Sequence, residues 1–252
     1  MRSGFGTVLG LTLLAGCLAA SVARAEDAAQ ICDVPAYLLT SDSSLPKVAE
    51  AIKGGRPLNV LVVGTRSSTI PASETSAYPG RLQAALKEKL PGVAINLSVE
   101  LQIAKTAEEA AASLVKLVEE KKPTLVIWQT GTVDAMRSVD PDDFRSAVDE
   151  GVAALRNAGT DVVLVNLQYS PRTETMISAP PYLDNMRAVA QQHDVPLFDR
   201  FAIMHHWNDS GDFDLFSTFH GVELAKRVHG CLGRALSKFV IDAAHLGQAQ
   251  QN

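Results

Sequence analysis

Two adjacent serines, Ser67 and Ser68, close the stretch LNVLVVGTRSST at residues 58–69. The apolar run before them reads as a buried strand that ends at Gly64. In an open α/β sheet, ligands bind in the crevice beyond the carboxyl ends of the strands. A serine hydroxyl at that point is a candidate nucleophile, provided a base takes its proton. The plainer reading of the same residues is a Ser/Thr-rich turn that caps the next segment. Arg66 and Arg172 leave strand ends as well, and two guanidinium groups there would favour an anionic ligand such as an acidic sugar. His205-His206 with Asp209 invites a metal reading. Adjacent histidines diverge on a helix, however, and ligating pairs favour i,i+4 spacing, so no metal site is assigned.

The elements that must hold these groups follow from pattern. A short helix over 45–53 stops at Gly54-Gly55. Strand one covers 58–63, and a Ser/Thr/Pro-rich loop runs to Tyr78. A helix over 79–90 precedes strand two at 93–99. The next helix, 106–120, opens with a capping box, Thr106 and Glu109. Strand three, 124–129, is all apolar up to its last residue, as a strand covered on both faces should be. Asp140-Pro141 pairs an N-cap with proline at the first helical position. The helix that follows carries Phe144, Val148, Val152 and Leu155 on one stripe and is closed by Gly159. Strand four is 161–167, a helix covers 180–193, and strand five is 195–198. A last helix over 222–244 buries Ala225, Val228, Leu232, Leu236 and Phe239. Strands alternating with helices specify a three-layer α/β/α sandwich around a five-stranded, mostly parallel sheet.

The chain has 252 residues and a net charge of −5, with 46% hydrophobic residues. That suits one substantial core, and without a basic tract no nucleic-acid partner is expected. Residues 1–25 read as a signal peptide: Arg2, an apolar run over 5–20, then Ala23-Arg24-Ala25. The run is short for a membrane span, so periplasmic or secreted export is expected. Leu14-Ala15-Gly16-Cys17 offers a competing lipobox, with a lipid anchor on Cys17. Cleavage after Ala25 leaves Cys32 and Cys231, an even pair suited to a disulfide in an exported protein. The expected organisation is a signal peptide (1–25), an N-terminal extension (26–57), one catalytic-type domain (58–246) and a polar tail (247–252).

The order of the sequence blocks resembles that of the SGNH (GDSL-type) hydrolase superfamily. It runs from the strand into GTRSST, through AYPGRL at 77–82, LVIWQTGTVDA at 125–135, DVVLVNLQYSPR at 161–172 and VPLFDRFAIM at 195–204, to CLGRAL at 231–236. The resemblance implies a flavodoxin-like sheet and an ester hydrolase with a serine nucleophile and a histidine base near the C-terminus, needing no cofactor. Counting from Gly64 puts Arg66 in the nucleophile slot, whereas aligning on Thr69 puts Ser67 there. Ser67 is the choice, because arginine cannot do the reaction, and Ser68 is the fallback. His220 takes the place of the base and Asp214, or Asp212, its orienting acid; His229 is the competitor, with a structural role as its alternative. Ser217 stands where the family has the aspartate. The second block, 98–105, has no glycine to stabilise an oxyanion. In the third block Val133 replaces the asparagine, leaving Gly131 and Thr132 to line the site. Two functions follow: an exported serine esterase acting on a small-molecule or glycan ester, or a catalytically impaired relative that binds or assembles in the envelope.

Overall fold

The computed structural model describes residues 32–216 and 221–246. The chain divides into two compact units, Met1–Asp33 and Val34–Asn252. Of the first, only Cys32 and Asp33 fall among the described residues, so the expected signal peptide and Cys17 lie outside them. Cys32 and Cys231 are both disulfide-bonded.

The second unit is built on five strands: β1 (Leu58–Gly64), β2 (Ile95–Leu101), β3 (Leu125–Gln129), β4 (Asp161–Val165) and β5 (Leu197–Phe198). Their order is β2-β1-β3-β4-β5, and every pairing is parallel. Nine helices are described: α1 (Pro46–Lys53), α2 (Tyr78–Lys89), α3 (Ala107–Lys121), α4 (Thr132–Met136), α5 (Pro141–Asn157), α6 (Pro171–Met176), α7 (Pro180–Gln192), α8 (Arg200–Asp209) and α9 (Gly221–Ala243). Side chains alternate across the central strands. Leu61, Val63, Val126, Trp128, Val162 and Leu164 form one core with α3, α5 and α7. The alternate residues face the opposite layer, where α2 packs against α9. The result is a three-layer α/β/α sandwich of flavodoxin-like order.

Local chemistry sets the helix ends. Thr106 and Glu109 form the expected reciprocal capping box on α3, and the Asp140 side chain accepts from Asp142 N–H ahead of Pro141. Two buried carboxylates cap helices across the fold. Asp134 accepts from Ala107 N–H at the start of α3 (2.8 Å), and Asp161 from Val48 N–H in α1 (2.9 Å). These are orphan donors of helix N-termini. The carboxylates thereby tie α1 and α3 to the loops and strands they cover.

Some boundaries differ from the sequence expectation. Strand β2 runs two residues later, to Leu101, because Gln102 N–H still donates to Gly64 O (2.7 Å). Strand β5 keeps only two residues, pairing with Leu164 and Val165. Helices α4, α6 and α8 arise where only loops were expected. Each is ten residues or fewer, too short for a 3.6-residue pattern to stand out.

Candidate active site

The parallel register brings the carboxyl ends of β1, β3, β4 and β5 to one edge of the sheet. From that edge Ser67, Gln129, Gln168 and Arg200 converge, although they come from four distant parts of the chain. After Gly64 the chain makes a single 3-10 turn, Arg66–Ser68, and folds the Ser68 side chain back under β1. A Cβ on Gly64 would lie 2.2 Å from Ser68 Oγ, so only glycine lets the turn close. Thr65 and Ser68 cap one another reciprocally across it.

The two serines have different surroundings. Ser68 is 1% exposed. Its hydroxyl is held by Thr65 N–H (3.2 Å), Gln129 Oε1 (2.6 Å) and Tyr78 Oη (3.3 Å). Ser67 is only part-buried, and its Oγ faces donors: Gln129 Nε2 at 2.9 Å and Arg200 Nη1 at 3.2 Å, with Thr65 Oγ1 at 3.2 Å. Gln129 is the hinge of this network. Its Nε2 donates to Thr65 Oγ1 (2.9 Å) as well as to Ser67, and its Oε1 accepts from Ser68 and Tyr78 (3.1 Å).

Arg200 is the charge at the centre. It opens α8 and is 1% exposed. Its Nη2 donates to Gln168 Oε1 (2.8 Å) and Ser67 O (3.4 Å), and its guanidinium lies 5.9 Å from the Tyr78 ring centroid, within cation–π range. The buried Asn166 fixes this start of α8. Its Nδ2 donates to Asp199 Oδ1 (2.7 Å) and its Oδ1 accepts from Phe201 N–H (2.9 Å). Burial lowers the guanidinium to about 10, which leaves it protonated at neutral pH.

His229 caps a helix. Its Nδ1 accepts from Tyr78 N–H (2.9 Å) at the N-terminus of α2. Burial, then the nearby Arg200 charge, push it down to about 3. His220 and Ser217 lie outside the described residues. Asp214 is exposed, and its Oδ1 accepts from Phe216 N–H (3.2 Å).

The remaining expected site residues are placed as follows. Gly131 has φ 94, in the left-handed region, and a Cβ there would meet Leu167 Cδ1 at 2.6 Å. It therefore turns the chain from β3 into α4 against the β4 loop. Thr132 Oγ1 accepts from Gln168 N–H (3.3 Å), so this hydroxyl braces the same loop. Arg66 and Arg172 are exposed and hydrogen-bond to none of the crevice residues; the guanidinium in the crevice is Arg200. His205 pairs instead with Asp209 (2.9 Å). Among the described residues, no group of three or more His, Cys, Asp or Glu is placed to hold a metal. No described helix is long and apolar enough to cross a membrane. Gln129, Tyr78, Gln168 and Arg200 lie within the blocks that carry the resemblance, but the sequence assigned them no role. Gln129, Gln168 and Arg200 stand at or just beyond a strand's carboxyl end, whereas Tyr78 opens α2.

The fold is that of the SGNH/GDSL hydrolase superfamily. Within it, the chain belongs to the Non-GDSL lipase-like family, whose model matches residues 31–246, and so to esterase- and lipase-type hydrolases in general. Solved structures share the fold at low identity. TesA is 21% identical, with a TM-score of 0.56, over 71% of this chain and 98% of its own. LAE5, an alpha/beta hydrolase from the metagenome of Lake Arreo in Spain, is 18% identical at 0.54, over 76% and 97%. A mutant of Axe2, an acetyl-xylooligosaccharide esterase from Geobacillus Stearmophilus, is 14% identical at 0.58, over 73% and 94%. No curated protein matches the chain.

Proposed function

We propose that the protein is an exported serine esterase in which Ser67 is the nucleophile. The observation that carries this reading is the donor cradle around Ser67 Oγ. A part-exposed hydroxyl at the end of β1 receives Gln129 Nε2 and the Arg200 guanidinium within 3.2 Å. Donors aimed at the hydroxyl oxygen favour its charged form, and so stabilise Ser67 Oγ as its proton leaves. Ser67 attacks the ester carbonyl, and its proton passes to His220, which Asp214 orients. His220 directly precedes Gly221, which lines a cavity with Arg200 and His229. The alkoxide leaves with that proton, and water then releases the acid from the acyl-enzyme. Gln129 and Arg200 supply donors on a site where Val133 offers no amide. The substrate class is a small or glycan-borne ester.

The test is hydrolysis of short and long p-nitrophenyl esters and of O-acetylated glycans by the wild type and Ser67→Ala. Turnover lost in the variant supports the reading. Equal turnover in both removes Ser67 from the chemistry. The alternative, a binding or assembly protein on the same fold, is favoured by Val133 and by the absence of glycine from 98–105. It predicts no turnover in either form.

A further inference from the structure

A buried charge is ordinarily paired or neutralised. Arg200 is neither. Its acceptors are all neutral: Ser67 Oγ, Ser67 O and Gln168 Oε1. Its Nε has no partner. The adjacent carboxylate, Asp199, is committed elsewhere, to Ala202 N–H (3.0 Å), Asn166 and Arg187 (3.1 Å). The fold therefore holds a cation whose counter-charge none of the described side chains supplies.

The same residue lines a cavity of about 170 Å3. Gln168, Tyr169, Ser170 and His229 add polar groups to its wall, and Met204, Leu224 and Val228 contribute apolar surface. His229 brings no second positive charge, being held neutral by burial and by Arg200.

We infer that this cavity is an anion subsite that takes a small monocarboxylate, whose charge completes Arg200. A guanidinium matches a carboxylate in both geometry and charge. The apolar wall suits a short alkyl group or one end of a longer acid. One cation calls for one negative charge. Because Arg200 also touches Ser67 Oγ, the bound carboxylate belongs to the reaction: it is the acid released, or a carboxylate carried by the ester. The subsite extends the esterase reading to a substrate class, but occupancy is read without catalysis.

The experiment is calorimetric titration of the purified full chain with propionate, and with propionamide as the neutral isostere. Saturable binding of propionate alone, about tenfold or more weaker in Arg200→Lys, is the expected result. Ala225→Phe fills the cavity from α9 with Arg200 intact and is expected to abolish binding, which guards against a misfolded arginine variant. Ser67→Ala is expected to bind as the wild type does, which separates this inference from the nucleophile. Equal binding of the amide, undiminished binding in both Arg200→Lys and Ala225→Phe, or no binding to the wild type would overturn it. Kinetics then distinguish the source. Faster turnover of monomethyl succinate than of dimethyl succinate identifies a substrate carboxylate, and competitive inhibition by propionate without that preference identifies the released acid.

Discussion

Replacing His229 by glutamine should flatten the acid limb of the protein's stability curve. Nδ1 of His229 accepts the Tyr78 N–H, and the ring sits buried beside Arg200, so protonation is held down to about 3 from an ordinary 6.5. The folded state thus binds the proton less readily than the unfolded state. The stabilisation from this group is fully present above 6.5 and is lost as pH falls from there toward 3. The loss approaches about 1.4 kcal/mol per pH unit, which sums to about 2 kcal/mol between pH 7 and pH 5. Glutamine keeps an acceptor for the Tyr78 N–H and has no proton to gain. Urea unfolding of wild type and His229→Gln at pH 5, 6 and 7 should show the wild-type advantage shrinking by about 2 kcal/mol over that range. Curves that stay parallel would refute the buried neutral imidazole, and with it the assignment of His229 as a helix cap.

Other substitutions probe the remaining parts. Gly64→Ala drives a methyl into Ser68 Oγ and should cost about 1–3 kcal/mol of stability and abolish esterase turnover; an unchanged Tm and rate would show that the serine turn is not as described. Val133→Asn restores a side-chain amide at the start of α4 and should raise kcat/KM about tenfold; an unaltered rate would place the oxyanion away from residue 133. Asp134 is raised by desolvation, and its Oδ2 has no partner. Its ionised form therefore costs stability above the usual carboxylate range. Asp134→Asn should raise Tm at pH 7, with the gain shrinking as pH falls toward 4, and a lower Tm at pH 7 would contradict this.

The fold was legible because its long elements carry strong periodicity. The α5 stripe of Phe144, Val148, Val152 and Leu155 and the fully buried β3 each signal type and orientation without tertiary information. The turn after β1 was legible too, since Gly64 followed by small hydroxyl residues after an apolar strand signals a tight, side-chain-capped turn. The chemistry around it was not. Arg200 sits at the start of a ten-residue helix whose pattern is weak, and nothing local distinguishes it from Arg66 or Arg172. Only the sheet order places it opposite Ser67. Gln129 reads as the polar end of a strand until Ser67, Ser68, Thr65 and Tyr78 are seen to share its amide. His229 showed only its place beside the buried stripe of α9; its partner on α2 is 151 residues away.

The central claim is that Ser67 is an activated nucleophile. The direct measurement is labelling of the folded protein with a fluorophosphonate probe, followed by peptide mass mapping, with Ser67→Ala and a heat-denatured sample alongside. An activated Ser67 predicts a single adduct on that residue, absent from the variant and from the denatured sample. An adduct on Ser68, or no labelling of a folded, monodisperse sample above the denatured control, would contradict it.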